Sequence, residues 1–177
     1  MREFEGKAII TIQAPIEHVY AYLADFRRHP EWVKNLSKVT QVTSGPIAVG
    51  TVFKTQEGPP PVKMGQKMKM MLSFVQGILG GAKTYSEATI TAMEPYECIA
   101  WQAGIPKGEG FFNLAEWEFL LEEHNNSTHL IQCFHWKPQN PTAERMVSAA
   151  GVEGLEEAVT VNLTRLKRRL EESGQEG

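Results

Sequence analysis

Polar and hydrophobic residues alternate along most of the chain with a two-residue period, which is typical of β-strands that expose one face to water. The first such stretch, Lys7–Gln13, places Ala8, Ile10 and Ile12 on one face. Turn residues separate it from further alternating stretches at Val39–Thr43, Thr51–Gln56, Tyr85–Met93, Cys98–Ala103, Phe111–Glu122 and Thr128–Lys137. The pattern predicts an antiparallel meander of about seven strands.

Two other parts of the chain have the period of an α-helix. Pro15 stands where a helix would begin, and the residues after it form one apolar face, namely Ile16, Val19, Tyr20, Leu23 and Phe26. A second short helix is predicted to begin at Pro30. Near the C-terminus, Thr142 is the predicted N-cap of a helix that continues to about Glu172, roughly 45 Å long. Gly151 and Gly154 each weaken this helix by about 1 kcal/mol relative to alanine.

An insert at residues 58–82 is compatible with either period. As a strand it places methionines opposite Lys63, Lys67 and Lys69, and as a helix it forms an apolar stripe of Met64, Met68, Met71, Leu72, Val75 and Leu79. Its composition and the glycine pair that follows favour the helix. Three roles stay open for it: an addition to the core, a methionine-rich lid over a ligand cavity, or a basic and apolar segment (residues 62–79) that contacts a membrane or a partner.

Composition narrows the class of protein. A chain of 177 residues with 42% hydrophobic side chains suits a single domain, 1–177, and a net charge of −3 argues against a surface that binds nucleic acid. Two cysteines, Cys98 and Cys133, are too few for a disulfide framework, and they form no zinc-site spacing with the five histidines. No nucleotide-cofactor motif appears. Without a long apolar run or a signal-like segment, we expect a cytoplasmic protein. Since neither a zinc-site spacing nor a nucleotide-cofactor motif appears, we also expect no metal and no cofactor.

Several short motifs occur in a characteristic order. They are Ala14–Tyr20, Leu23–Phe26, Pro30–Trp32, Gly50–Phe53, Ile90–Trp101 and Trp117–Phe119. In this order the chain resembles the START and birch-pollen-allergen superfamily, in particular its polyketide cyclase/dehydratase-like (SRPBCC) branch. The resemblance covers nearly the whole chain except the insert. It implies an α+β helix-grip fold, in which a curved antiparallel sheet wraps around the long C-terminal helix and encloses a hydrophobic cavity.

The alternation and the resemblance together indicate which side chains would line such a cavity. The candidate ligand contacts are Trp101, Trp117, Phe119, Gln132, Phe134, Trp136, Met146 and Ala150. Large aromatic rings beside alanines suit a flat, apolar ligand, although the same side chains could also fill a solid core. Gln132 is the polar group best placed to orient a ligand, whereas His135, His124 and His129 are expected on the surface.

Three functions follow as hypotheses. The first is binding, transport or sensing of a small hydrophobic ligand such as a lipid, sterol or polyketide. The second is a cyclase or dehydratase in which Tyr85, Tyr96 or Gln132 positions a carbonyl, with Asn162 near the edge of the same surface. The third is docking to a membrane or partner through residues 62–79. The sequence leaves ligand identity and oligomeric state open.

Overall fold

The computed structural model describes residues 2–57, 84–104, 114–138 and 141–173, and the structural statements below concern these residues. The insert predicted at 58–82 lies outside them. The described chain forms one seven-stranded antiparallel sheet of strand order β1-β7-β6-β5-β4-β3-β2. Its strands are β1 (Phe4–Ile12), β2 (Leu36–Gln41), β3 (Val52–Glu57), β4 (Thr84–Glu94), β5 (Cys98–Gly104), β6 (Leu114–His124) and β7 (Ser127–Lys137).

Two short helices follow β1, as the sequence predicts, but their boundaries differ. The first, α1, spans Ile16–Ala24 and buries Tyr22 where the spacing had favoured Tyr20. The second is a 3-10 helix at Phe26–Glu31, so the prediction that it begins at Pro30 was wrong. Asp25 starts this helix early because its carboxylate accepts a hydrogen bond from the Arg27 backbone N–H.

The C-terminal helix, α2, spans Pro141–Ser173 but is not continuous. Gly151 has φ 72° and ψ 158°, values that only glycine adopts readily, and it divides the helix into two segments. Beyond this kink the apolar stripe is buried progressively more deeply toward the C-terminus. Leu155 and Val159 keep 8% and 6% of their surface exposed, whereas Leu163 and Leu166 keep none.

Side chains of α2 satisfy the free edge of β1. Glu156 accepts a hydrogen bond from the Lys7 backbone N–H at 3.1 Å, and Glu171 accepts one from Gln13 at 2.7 Å. The Lys167 ammonium in turn donates to the Thr11 carbonyl at 2.8 Å. These contacts show that α2 runs parallel to β1 and covers an edge that would otherwise be open to pairing with another strand.

Candidate functional site: the inner face of the sheet

The face of the sheet turned toward α2 carries its side chains in cross-strand rows. The strand register aligns Gly6, Phe134, Trp117, Trp101 and Ile90 in one row across β1, β7, β6, β5 and β4. All the strand residues predicted as ligand contacts alternate onto this face, so the predicted orientation of β5, β6 and β7 is confirmed. The side chains of Met146 and Ala150 lie outside the described residues.

A row of small side chains borders these aromatic rings. Ala115, Ala103 and Ala88 are register partners on three neighbouring strands, with Trp136 beyond one end and Phe53 beyond the other. We call these three residues the alanine row. A methyl group fills less space than a larger side chain, so the inner face has a row of small side chains between two aromatic residues.

The aromatic rings form a connected series beside the alanine row. Trp101 and Trp117 stack with an interplanar angle of 10° and a centroid distance of 6.2 Å, and Trp117 contacts Phe134 and Trp136 at 5.8 and 6.1 Å. Trp117 and Trp136 are only half-buried although they face inward. We call Trp101, Trp117, Phe134, Trp136 and the alanine row the aromatic end. It offers ring faces and edges suited to a flat apolar molecule.

Two buried polar atoms at this face have no hydrogen-bond partner within the described part of the chain. They are the Gln132 Oε1 acceptor and the Trp136 Nε1 donor, and Gln132 retains only 6% of its surface exposed. Leaving such a group unpaired costs about 1–3 kcal/mol, so these atoms are ready partners for a bound molecule or water. Trp32 Nε1, in a different part of the interior, is a third such atom.

The other end of the inner face is packed tightly. Its core side chains keep at most 1% of their surface exposed, and they are Ile12, Val19, Leu23, Leu130, Leu163, Leu166 and Leu170. We call this set the packed end. Arg165 donates to the Trp32 carbonyl at 3.0 Å, and Asn162 accepts from the Lys34 backbone N–H at 3.0 Å, which ties the segment after the 3-10 helix to α2. Asn162 therefore has a structural partner in this fold.

A buried histidine that sequence reasoning did not single out lies between the two ends. His29 is 5% exposed, stacks on Phe26, and contacts the rings of Trp32, Trp101 and Phe119. Its Nε2 lies 2.9 Å from the Leu23 carbonyl, to which it donates as a neutral imidazole. Burial lowers the pKa of His29 to about 4, despite the opposing effect of this hydrogen bond. Its position in a short polar-looking Arg-Arg-His-Pro segment gave no periodic signal of burial.

The candidate tyrosines do not strengthen a catalytic reading. Tyr96 lies in the turn between β4 and β5 with φ 67°, is 48% exposed, and contacts Tyr20, so it does not face the aromatic end. Tyr85 belongs to β4, but its side chain lies outside those described. Among the proposed positioning groups, Gln132 is the one that the described structure places on the inner face.

The outer face of the sheet has a different character. His135 bridges Glu3 and Glu116 at 2.7 and 3.0 Å, as expected for a surface residue. A groove of about 670 Å³ is lined mainly by outward-facing residues of the same strands, among them Lys7, Gln102 and Glu116. Its charged lining does not suit an apolar ligand. In the described ranges, no group of three or more His, Cys, Asp or Glu side chains is arranged to hold a metal ion.

Both cysteines are free thiols on this outer face. Cys98 donates to Glu118 Oε1 at 3.4 Å. Burial, this hydrogen bond and the neighbouring carboxylates raise the pKa of Cys98 to about 11, and burial likewise raises that of Cys133. Thiols held in the protonated form are poor nucleophiles.

Comparison with known proteins establishes the family. The family model described as "Polyketide cyclase / dehydrase and lipid transport" matches residues 1–171, and the chain belongs to this family. The resemblance to the START and birch-pollen-allergen superfamily and the helix-grip fold are thereby confirmed. No curated protein matches the chain closely enough to count as a relative.

Solved structures with the same fold have distant sequences. The Zhui aromatase/cyclase from Streptomyces sp. R1128 is 13% identical, with a TM-score of 0.68 over 96% of this chain and 94% of that one. CV1439 from Chromobacterium violaceum is 14% identical, with a TM-score of 0.63 over 94% and 96%. Ara h 8.0201 is 11% identical, with a TM-score of 0.55 over 93% and 99%. At these identities the likeness shows the fold alone.

Among the described helices, none combines the length and apolarity required to cross a lipid bilayer.

Proposed function

We propose that this protein binds a small, flat and largely apolar molecule against the aromatic end of the sheet. The observation that carries the proposal is the combination of a row of small side chains, the alanine row, with inward-facing tryptophans that are only half-buried. Rings that their neighbours cover only in part leave apolar surface that a flat ligand can contact. Lipids, sterols and polyketides are the candidate classes of ligand.

Two polar atoms orient the ligand in this proposal. Gln132 Oε1 accepts a hydrogen bond and Trp136 Nε1 donates one, and neither has a partner within the described residues. The two residues lie four positions apart on one strand, so their Cα atoms are roughly 13 Å apart. A ligand that reaches both therefore carries polar groups at separate positions on an apolar framework. An entirely apolar molecule would leave both atoms unpaired, at a cost of about 1–3 kcal/mol each.

The test is to replace a small side chain of the alanine row by a large one. Ala103→Trp places an indole in the alanine row, and Ala100→Trp, the matched control, places the same side chain on the opposite face of β5. Native mass spectrometry of the purified proteins, followed by extraction and identification of any bound molecule, should show a small-molecule adduct in the wild type and in the control. The adduct should be lost in Ala103→Trp, with folding checked by circular dichroism.

The proposal fails if the wild type carries no adduct and binds none of a panel of fluorescent fatty acids and sterols. It also fails if Ala103→Trp, while folded, retains the adduct at the wild-type level. Cyclase or dehydratase activity remains an alternative hypothesis, in which Gln132 positions a carbonyl. Docking through residues 62–79 stays a prediction, since this segment lies outside the described residues. The cytoplasmic location is likewise a prediction.

A further inference from the structure

Three inward-facing polar side chains form a cluster on β3 and β4, away from Gln132. Thr55 and Ser86 are register partners, and Glu57 follows Thr55 by two positions on the same face. Both hydroxyl-bearing residues are more than nine-tenths buried, at 7% and 8% exposed, while Glu57 is half-buried. Phe53 and Ala88 precede and follow them on the same face, so the cluster adjoins the alanine row.

The three oxygens of this cluster make a triangle of short contacts. Thr55 Oγ1 and Ser86 Oγ are 2.6 Å apart, and each lies within hydrogen-bond distance of Glu57 Oε1, at 2.9 and 2.7 Å. Two hydroxyl groups supply only two protons for the three edges of the triangle, because an ionised carboxylate has no proton to donate. One edge therefore lacks a hydrogen bond. The carboxylate of Glu57 has about four lone-pair sites and receives at most two of these protons, so it can accept a further hydrogen bond.

Within the described ranges, Glu57 also has no cationic partner. No lysine, arginine or histidine of the described ranges forms an ion pair with it. Inward-facing carboxylates without a cation normally need further hydrogen-bond donors, since hydrogen bonds to a charged group are roughly twice as strong as neutral ones. A donor brought by a ligand would satisfy this need.

We infer that Glu57, with Thr55 and Ser86, is a polar anchor that accepts a hydrogen bond from a hydroxyl group of the ligand. This inference rests on the proposed function. Strands β7 and β3 lie four strand spacings apart, roughly 19 Å along the sheet, with the alanine row between them. The ligand class that fits is a hydroxylated, otherwise apolar molecule such as a phenol or a sterol-like alcohol, with its hydroxyl at the β3 side.

The experiment compares three probes of nearly the same shape on the full-length protein. 2-Naphthol offers a hydroxyl donor, 2-methylnaphthalene replaces it with a methyl group, and 2-naphthylmethylamine replaces it with a cation. Dissociation constants are measured by fluorescence for the wild type, for Glu57→Gln, and for Glu87→Gln, which removes a carboxylate from the opposite face of β4. We expect the wild type and Glu87→Gln to bind 2-naphthol about tenfold more tightly than 2-methylnaphthalene, and Glu57→Gln to lose this preference.

A second variant protects the test against a change in folding. Ser86→Ala keeps the carboxylate but removes one of its donors, and it should keep or increase the preference for 2-naphthol. Equal affinities of the wild type for 2-naphthol and 2-methylnaphthalene, or a preference that survives in Glu57→Gln, overturn the anchor while leaving the proposed function intact. A Glu57-dependent preference for 2-naphthylmethylamine over 2-naphthol overturns the hydroxyl assignment. If none of the probes binds the wild type, the anchor is contradicted, whereas the proposed function is decided by the adduct and by the fatty acids and sterols.

Discussion

The packed end and the aromatic end share the same sheet and the same helix, but they are filled differently. At the packed end, leucines of α2 meet Ile12 and Leu130 and keep no more than 1% of their surface exposed. At the aromatic end, Trp117 and Trp136 remain half-buried and three alanines occupy neighbouring strands. The end that completes the hydrophobic core is thus separate from the end that carries small side chains and partly buried rings.

This difference distinguishes the side chains that stabilise the fold from those that packing constrains less. Aliphatic side chains that interlock fully contribute most of the burial energy, and changes among them are costly. Incompletely buried rings and unpaired polar atoms, such as Gln132 Oε1, contribute less to stability and are available for binding. The kink of α2 at Gly151 lies between Glu144, which accepts from the Arg2 N–H, and Glu156, beside Lys7, so the helix is interrupted alongside the aromatic end.

The largest expected effect comes from truncating a side chain at each end. Leu163→Ala should lower the free energy of unfolding by about 4 kcal/mol, because it opens a cavity among fully buried neighbours. Trp117→Ala removes more atoms but should cost less than about 2 kcal/mol, since the ring is only partly buried. Urea denaturation measures both values. If the tryptophan variant proves as destabilised as the leucine variant, the two ends do not differ as described.

The next effect depends on pH and on His29, which lies where the two ends meet. Its pKa is about 4 in the folded protein and about 6.5 when unfolded, so between these values the unfolded chain binds more protons. Stability should therefore fall by about 3 kcal/mol as the pH drops from 6.5 to 4. His29→Gln, which keeps a donor for the Leu23 carbonyl, should lack this component. An undiminished acid loss in that variant would assign the effect to other groups.

A smaller effect tests how tightly the positions of the aromatic end are packed. A Cβ at Gly6 would meet Phe134 Cζ at 2.6 Å and Glu156 Oε1 at 2.8 Å, so Gly6→Ala should cost about 2 kcal/mol. Ala103→Val adds two methyl groups in the alanine row and should change stability by less than about 0.5 kcal/mol. Thermal unfolding of the two variants provides the comparison, and a larger loss for Ala103→Val would show that the row is already filled.

A small effect on stability is also expected for Gln132→Leu. Because the Gln132 acceptor has no partner within the described residues, its replacement by an apolar isostere should leave the free energy of unfolding within about 1 kcal/mol of wild type. Affinity for a hydroxylated apolar ligand should nevertheless fall about tenfold. Urea denaturation and fluorescence titration separate the two effects. A large loss of stability with unchanged affinity would assign Gln132 to the core.

The strand pattern was predictable because each strand of the meander has one dry and one wet face. The inward orientation of Trp117 followed from alternation, and that of Trp101 and Phe134 from alternation together with the family resemblance. The alanine row did not, since it depends on cross-strand register, which no local pattern specifies. Neither did the burial of His29 or the Thr55–Ser86–Glu57 cluster, because short polar residues near turns read as surface until the sheet brings them together. The 3-10 helix was misplaced because its start depends on a single hydrogen bond at Asp25.

The indole N–H signals of the four tryptophans test the central claim most directly. They are recorded by ¹H–¹⁵N NMR during titration with a sterol, which is long enough to reach from β3 to the aromatic end, and assigned with single Trp→Phe variants. Three of these residues, Trp101, Trp117 and Trp136, lie at the aromatic end, whereas Trp32 packs against Phe119 and His29. If the ligand binds at the aromatic end, we expect saturable shifts that are largest for Trp117 and Trp136 and smallest for Trp32. Shifts confined to Trp32, or no saturable shift in any of the four signals, would contradict binding at the aromatic end.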